Sequence, residues 1–186
     1  MKYYSNKNTK GFTIIELMIS VGIFAMMTSL LLAKYGNFNQ GILLTNLAYD
    51  VALTIRNAQS YGLNVKSAVR NDNRFEYPYG VNFTTGKTFI FFADVNITPD
   101  FVYDEGADIN LSKTTIRTSS FIDKICVGTP TCTDVLSLDI AFKRPNPDAI
   151  INGVTANSYA EIVLKASDGS TKKVIVRSTG QIAVTN

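Results

Sequence analysis

Histidine and tryptophan are absent from the 186 residues, and cysteine occurs only twice. Without histidine the chain lacks the side chain that most often acts as a base near neutral pH and most often ligates zinc. Ser and Thr are plentiful but have no plausible base nearby, and the carboxylates form no evident acid/base pair. A membrane-anchored hydrolase is the one enzymatic alternative, and the expectation is a protein that is not an enzyme and holds no cofactor. A basic excess is missing too, once its position is considered. The formal charge is +3, and Lys2, Lys7 and Lys10 account for all of it; without them 15 basic residues face 15 acidic ones. No global attraction to an anionic polymer is then left. The apolar fraction of 46% is enough for the core of one modest domain with an attached element.

What is present is concentrated near the N-terminus. Across residues 14–33 the only charge is Glu16, and the run is about as long as a helix needs to cross a bilayer core. Basic residues precede it, so by the positive-inside tendency they stay cytoplasmic and the remainder faces outward. No Ala-x-Ala-like site follows, as an ordinary secretory signal would require. Instead a polar, basic leader ends at Lys10-Gly11 and the apolar run starts at once with Phe12-Thr13-Ile14-Ile15-Glu16-Leu17. A lone carboxylate near the bilayer centre costs roughly 3 kcal/mol on insertion scales. Glu16 therefore needs a partner, unless the helix is a plain anchor that holds it close to the interface.

The junction resembles the type IV prepilin signature. That resemblance implies cleavage between Gly11 and Phe12 by a dedicated prepilin peptidase/methyltransferase, and N-methylation of Phe12. It also implies that Glu16 meets the terminal amine of Phe12 on a neighbouring subunit when helices pack in a filament. Expected partners are other pilin or pseudopilin subunits, the inner-membrane assembly platform and the membrane itself. The expected location is the inner membrane, single-pass, and then an extracytoplasmic filament. The run lacks the proline that many major pilins carry near its end, where this chain has Ala33. Any local melting would fall on Gly36, Gly41 and Asn37-Phe38-Asn39, which are weak helix formers.

Past Gly41, apolar Leu44, Leu47, Ala48, Val51, Ile55 and Ala58 recur at three- and four-residue spacing, which predicts an amphipathic helix ending near Gly62. Its apolar stripe needs a cover. Leu136, Leu138, Ile140 and Phe142 alternate with Ser137, Asp139, Ala141 and Lys143, the period of a strand with one buried face. Hairpins are expected around Thr84-Thr85-Gly86-Lys87 and Ser167-Asp168-Gly169-Ser170, and a shorter return after Thr179-Gly180. The fold class is α+β: a long N-terminal membrane-spanning helix packed on a C-terminal antiparallel sheet, with no second domain. The expected division is a leader over 1–11, a long helix over 12–62 (14–33 membrane-spanning, 42–62 amphipathic) and a β-rich region over 63–186. With Asp50-Val51-Ala52-Leu53 and Arg56-Asn57-Ala58 in the helix and Val174-Ile175-Val176-Arg177 before a terminal Gly180 turn, the layout resembles the H-type minor pseudopilins. That resemblance implies a structural subunit of a type IV pilus or of a type II secretion pseudopilus.

Three further features carry alternatives. Cys126 and Cys132 sit close together in a Gly/Pro/Thr-rich stretch that suits a disulfide-closed loop outside the cytoplasm, or two free thiols. Asp94, Asn96, Asp100, Asp104, Glu105 and Asp108 form an oxygen-rich segment that could hold Ca²⁺, although the spacing is not that of an EF-hand; a solvated acidic loop is the alternative. Lys165, Lys172, Lys173 and Arg177 on the last hairpin could contact the phosphates of a nucleic acid, as in a DNA-uptake pilus. Such residues more often solvate a sheet edge, and the tail after Gly180 has no basic residue.

Overall fold

The computed structural model describes residues 11–64, 76–128, 131–154 and 158–186. A single helical assignment, α1, runs from Ile14 to Leu63. The chain divides into two compact units, Met1–Asn39 and Gln40–Asn186, and each is described by itself.

In the first unit, α1 begins immediately after Thr13, and its stretch Ile14–Leu32 is long and apolar enough to cross a membrane. Its hydroxyls are satisfied within the helix. Ser20 donates to the Glu16 carbonyl (2.7 Å), Thr28 to that of Phe24 (2.8 Å) and Ser29 to that of Met26 (2.9 Å). Such back-bonding lets a polar side chain sit in hydrocarbon without an external partner.

In the second unit, the inner face of α1 is the wall on which the rest is built. Leu44, Leu47, Ala48, Val51, Ala52, Ile55 and Ala58 are all buried, as their spacing predicts. Among the described residues ten strands follow: β1 (Tyr79–Thr84), β2 (Thr88–Ala93), β3 (Ile109–Thr115), β4 (Phe121–Gly128), β5 (Cys132–Asp134), β6 (Ser137–Phe142), β7 (Ala149–Ile151), β8 (Tyr159–Lys165), β9 (Thr171–Arg177) and β10 (Ile182–Thr185). They form two five-stranded sheets instead of the expected one, in the orders β3-β2-β1-β6-β7 and β10-β9-β8-β4-β5, with every pairing antiparallel. A strongly twisted ten-strand sheet tends to curl or split, and here both halves contribute to one core with the helix. Val81, Phe83, Leu138 and Ile140 come from the first sheet, and Ile122, Ile125, Ile162, Leu164 and Val174 from the second. Gly86, in the β1–β2 turn with φ of 119°, exchanges backbone hydrogen bonds with Ile122 (2.9 and 2.7 Å) and ties the two sheets together.

The β1–β2 and β8–β9 hairpins and the return after Gly180 form where their turn residues predict. The pattern in β6 does not. Leu136 precedes the strand and is 95% exposed, whereas Leu138, Asp139, Ile140, Ala141 and Phe142 are all buried. β6 lies inside its sheet and both its faces are covered, one by α1 and the other by the loop between β2 and β3. Alternation therefore fails because the outward face is roofed.

Gln59 locks the C-terminal turn to the helix. Its Nε2 donates to the carbonyls of Pro147 (3.0 Å) and Gly180 (3.1 Å). Gly180 has φ of 79°, and a Cβ there would run into the Pro147 carbonyl. Both the left-handed backbone and the lack of space require glycine. Gly180→Ala is expected to destabilise the protein by at least about 2 kcal/mol, read as a lower urea midpoint for the detergent-solubilised chain; an unchanged midpoint would mean that the turn is free to move.

Candidate functional site

The residues with the plainest chemical meaning lie at the start of the first unit. Gly11, Phe12 and Thr13 are non-helical and exposed, and the Phe12 ring is 81% accessible. A Cβ at Gly11 would meet nothing within 4 Å, and its backbone is not left-handed. Nothing in the surrounding structure calls for glycine there.

Thr13 caps the helix. Its Oγ1 accepts from the Glu16 N–H (3.3 Å) and its carbonyl from the Leu17 N–H (3.1 Å). Thr13-Ile14-Ile15-Glu16 fits the S/T-x-x-E pattern of a capping box. That signal is present in the sequence, although the membrane run draws attention from it. Glu16 sits in the first turn, where the positive end of the helix dipole favours an acid. Among the described residues no cation meets its carboxylate. Gly11 and Phe12 thus lie just ahead of the capped first turn that carries Glu16.

The acidic segment supplies acceptors for backbone N–H groups. Asp94 is completely buried, and its carboxylate accepts from the backbone N–H of Asn96 (3.2 Å) and of Phe101 (3.0 Å). Asp100 accepts from the Val102 N–H (3.1 Å) and Asp108 from that of Asp104 (2.8 Å). Tyr103 stacks its ring on Phe92 at 5.3 Å and gives its N–H to Asp139 of β6 (3.1 Å). Asn96 contributes its backbone to this set, and Glu105 is exposed. The carboxylates thus staple the loop onto the outer face of the first sheet. Among the described residues no three His, Cys, Asp or Glu side chains are placed to hold a metal ion.

Asp139 is the buried centre of this roof. Its Oδ1 accepts from Asn82 Nδ2 (2.8 Å) as well as from Tyr103. Its backbone exchanges hydrogen bonds with Asn152, whose side-chain Oδ1 and main-chain N both take part (2.7 and 2.8 Å). Burial pushes the Asp139 carboxyl above its ordinary range. The Asn82 and Tyr103 bonds offset part of that, and the charges of Asp100 and Asp104 add to it. Asp108 is raised for the same leading reason, burial.

The basic candidates are divided between the two faces of the β8–β9 hairpin, Lys165, Lys173 and Arg177 on one and Lys172 on the other. Lys165 pairs with Asp123 (3.7 Å) and Lys173 with Glu161 (2.9 Å), while Lys172 bonds the Asn186 side chain. Lys172 shares the strand parity of buried Val174 and Val176, so Lys173 lies on the opposite face of β9. Arg177 is at the other end of that strand, across from Tyr159. Cys126 and Cys132 are joined in a disulfide with Cα atoms 5.4 Å apart, closing the β4–β5 hairpin.

Residues 6–32 match the family model of the prokaryotic N-terminal methylation motif, so the chain carries a type IV pilin-like N-terminal signature. No curated protein and no solved structure matches it.

The roof yields a pH prediction. An acid whose folded-state pKa is raised binds its proton more tightly when folded, so stability falls as pH rises from the unfolded carboxylate range through the folded value, and is level above it. Asp139→Asn keeps an Oδ1 for both donors and removes the charge. It is expected to be more stable than the parent near pH 7 by on the order of 1 kcal/mol, with the gap closing toward pH 3. Thermal melts across that range check both the size and the sign.

Proposed function

We propose, taking the N-terminal methylation motif as the premise, that the chain is a minor pilin or pseudopilin of a type IV pilus or a type II secretion pseudopilus. It enters the inner membrane as a precursor with residues 1–11 as a cytoplasmic leader. The prepilin peptidase/methyltransferase cuts between Gly11 and Phe12 and methylates Phe12. The assembly platform then adds the subunit to a filament through the N-terminal helix that follows Phe12, with the β-rich region over 63–186 facing outward.

The observation that carries this reading is the open Gly11–Phe12 junction just ahead of Glu16, an acid that meets no cation among the described residues of an apolar helix. Cutting the chain makes a positive amine, and that amine on a neighbour supplies the missing charge. In a low-dielectric bundle such a pair sets the axial register of an incoming subunit. The outward face of α1 in the second unit adds support, since Ile42, Tyr49 and Leu53 remain exposed at 44%, 61% and 56% and offer apolar area to adjacent helices. DNA uptake has less behind it, because Lys165, Lys172 and Lys173 already have partners.

Glu16→Ala is expected to leave membrane insertion intact and to lower incorporation into sheared fibres by at least about tenfold. Mass spectrometry of those fibres should find an N-methylated peptide starting at Phe12. Unchanged incorporation would remove the register role, and a different N-terminus would remove the processing assignment.

A further inference from the structure

We infer that Thr13 is a positioning residue for leader removal: its cap fixes the start of α1 at Ile14 and so keeps the Gly11–Phe12 bond out of the helix. This inference rests on the processing assignment above and adds a residue to it.

Two observations meet at this point. The first is the cap, in which Thr13 Oγ1 and carbonyl oxygen accept from the N–H groups of Glu16 and Leu17 (3.3 and 3.1 Å), while residues 11–13 are non-helical. The second concerns the bond next to it. Gly11 is open on its Cβ side and Phe12 is largely exposed, so among the described residues nothing packs against the bond between them.

A peptidase needs the scissile peptide extended, with its N–H and carbonyl free. A helix starting at Phe12 would take the Gly11 carbonyl for its own ladder and hold the bond in a curved backbone. The sequence just after the cut is strongly helical in tendency, with nothing but the cap to set where the helix begins. A threonine in the N-cap position adopts a non-helical backbone and uses its hydroxyl on the third residue of the helix. The bond two residues upstream is then left accessible. With alanine at position 13 the first turn is no longer fixed, and the helix start can migrate through Phe12 toward Gly11. The hydroxyl acts through the backbone of its own chain and touches none of the reacting atoms.

The test is pulse-chase processing of the full-length precursor in cells with the prepilin peptidase, with rates normalised to membrane-inserted protein. Four variants are compared: Thr13→Ser and Thr13→Asn, which can cap, and Thr13→Ala and Thr13→Val, which cannot. The capping pair is expected to be cut within about twofold of the parent rate and the other pair at least about fivefold more slowly. In the detergent-solubilised precursor, Thr13→Ala should also shift the Phe12 ¹³Cα resonance toward helical values. Parent-like cleavage of Thr13→Ala and Thr13→Val would overturn the inference while leaving the processing assignment intact. So would equal slowing of all four, which would mean that the enzyme reads threonine directly. A parent chain that is never cut after Gly11 would overturn the assignment itself, and this inference with it.

Discussion

Burial of one helical stripe organises the globular unit. Leu44, Leu47, Ala48, Val51, Ile55 and Ala58 occupy a single face of α1, and no single β-layer in this chain covers it alone. The first sheet brings Val81, Phe83 and Ile140 to it and the second brings Ile162 and Val174. The sheet residues in that core share the helix as a common wall, since each sheet's apolar inner face must be buried against another layer. The Gly86–Ile122 exchange and the Gln59 bridge are secondary ties. They hold positions that the stripe has already selected.

A second layer lies outside the first sheet, and it is polar where the inner one is apolar. Asp94, Asp108 and Asp139 hold the loop between β2 and β3 by accepting its backbone N–H groups. A loop that covers a sheet must satisfy its own donors away from water, and carboxylates do this with strong, charge-assisted bonds. The cost is burial of the acids, which raises Asp139 and Asp108, with neighbouring like charge adding to it. In a segment whose composition suggests a cation site, Asp94, Asp100 and Asp108 thus also serve particular backbone amides.

Legibility from sequence followed the range of the interactions. The helical stripe and the two hairpins were evident because their signals are local: a period of three to four residues, and turn residues at fixed offsets. The N-terminal motif was evident for the same reason, being linear. β3 was not recognisable, because Ile109–Thr115 is exposed along almost its whole length and carries no apolar period. The burial of Asp139 was equally hidden, since what covers it is Tyr103, 36 positions away in sequence. The division into two sheets depends on how strands far apart in the chain share one helix, and no window of a few residues contains that information. Thr13 is the instructive exception. Its capping pattern is local and complete, yet it overlaps the membrane run and is easily absorbed into it.

The internally satisfied hydroxyls of the first unit carry a mechanical consequence. Ser20, Thr28 and Ser29 spend their donors on the helix's own carbonyls, so the shaft from Ile14 to Leu32 has a greasy, non-directional surface with one electrostatic pin at Glu16. In a bundle of such shafts, rotation and small axial slips elsewhere along the contact break no directional bond. In the filament proposed above, such shafts would be held by non-directional contacts, with a single charge per shaft at Glu16 to index them. Different chains sharing the same pin could occupy the same lattice, and discrimination among them would fall to the heads they carry.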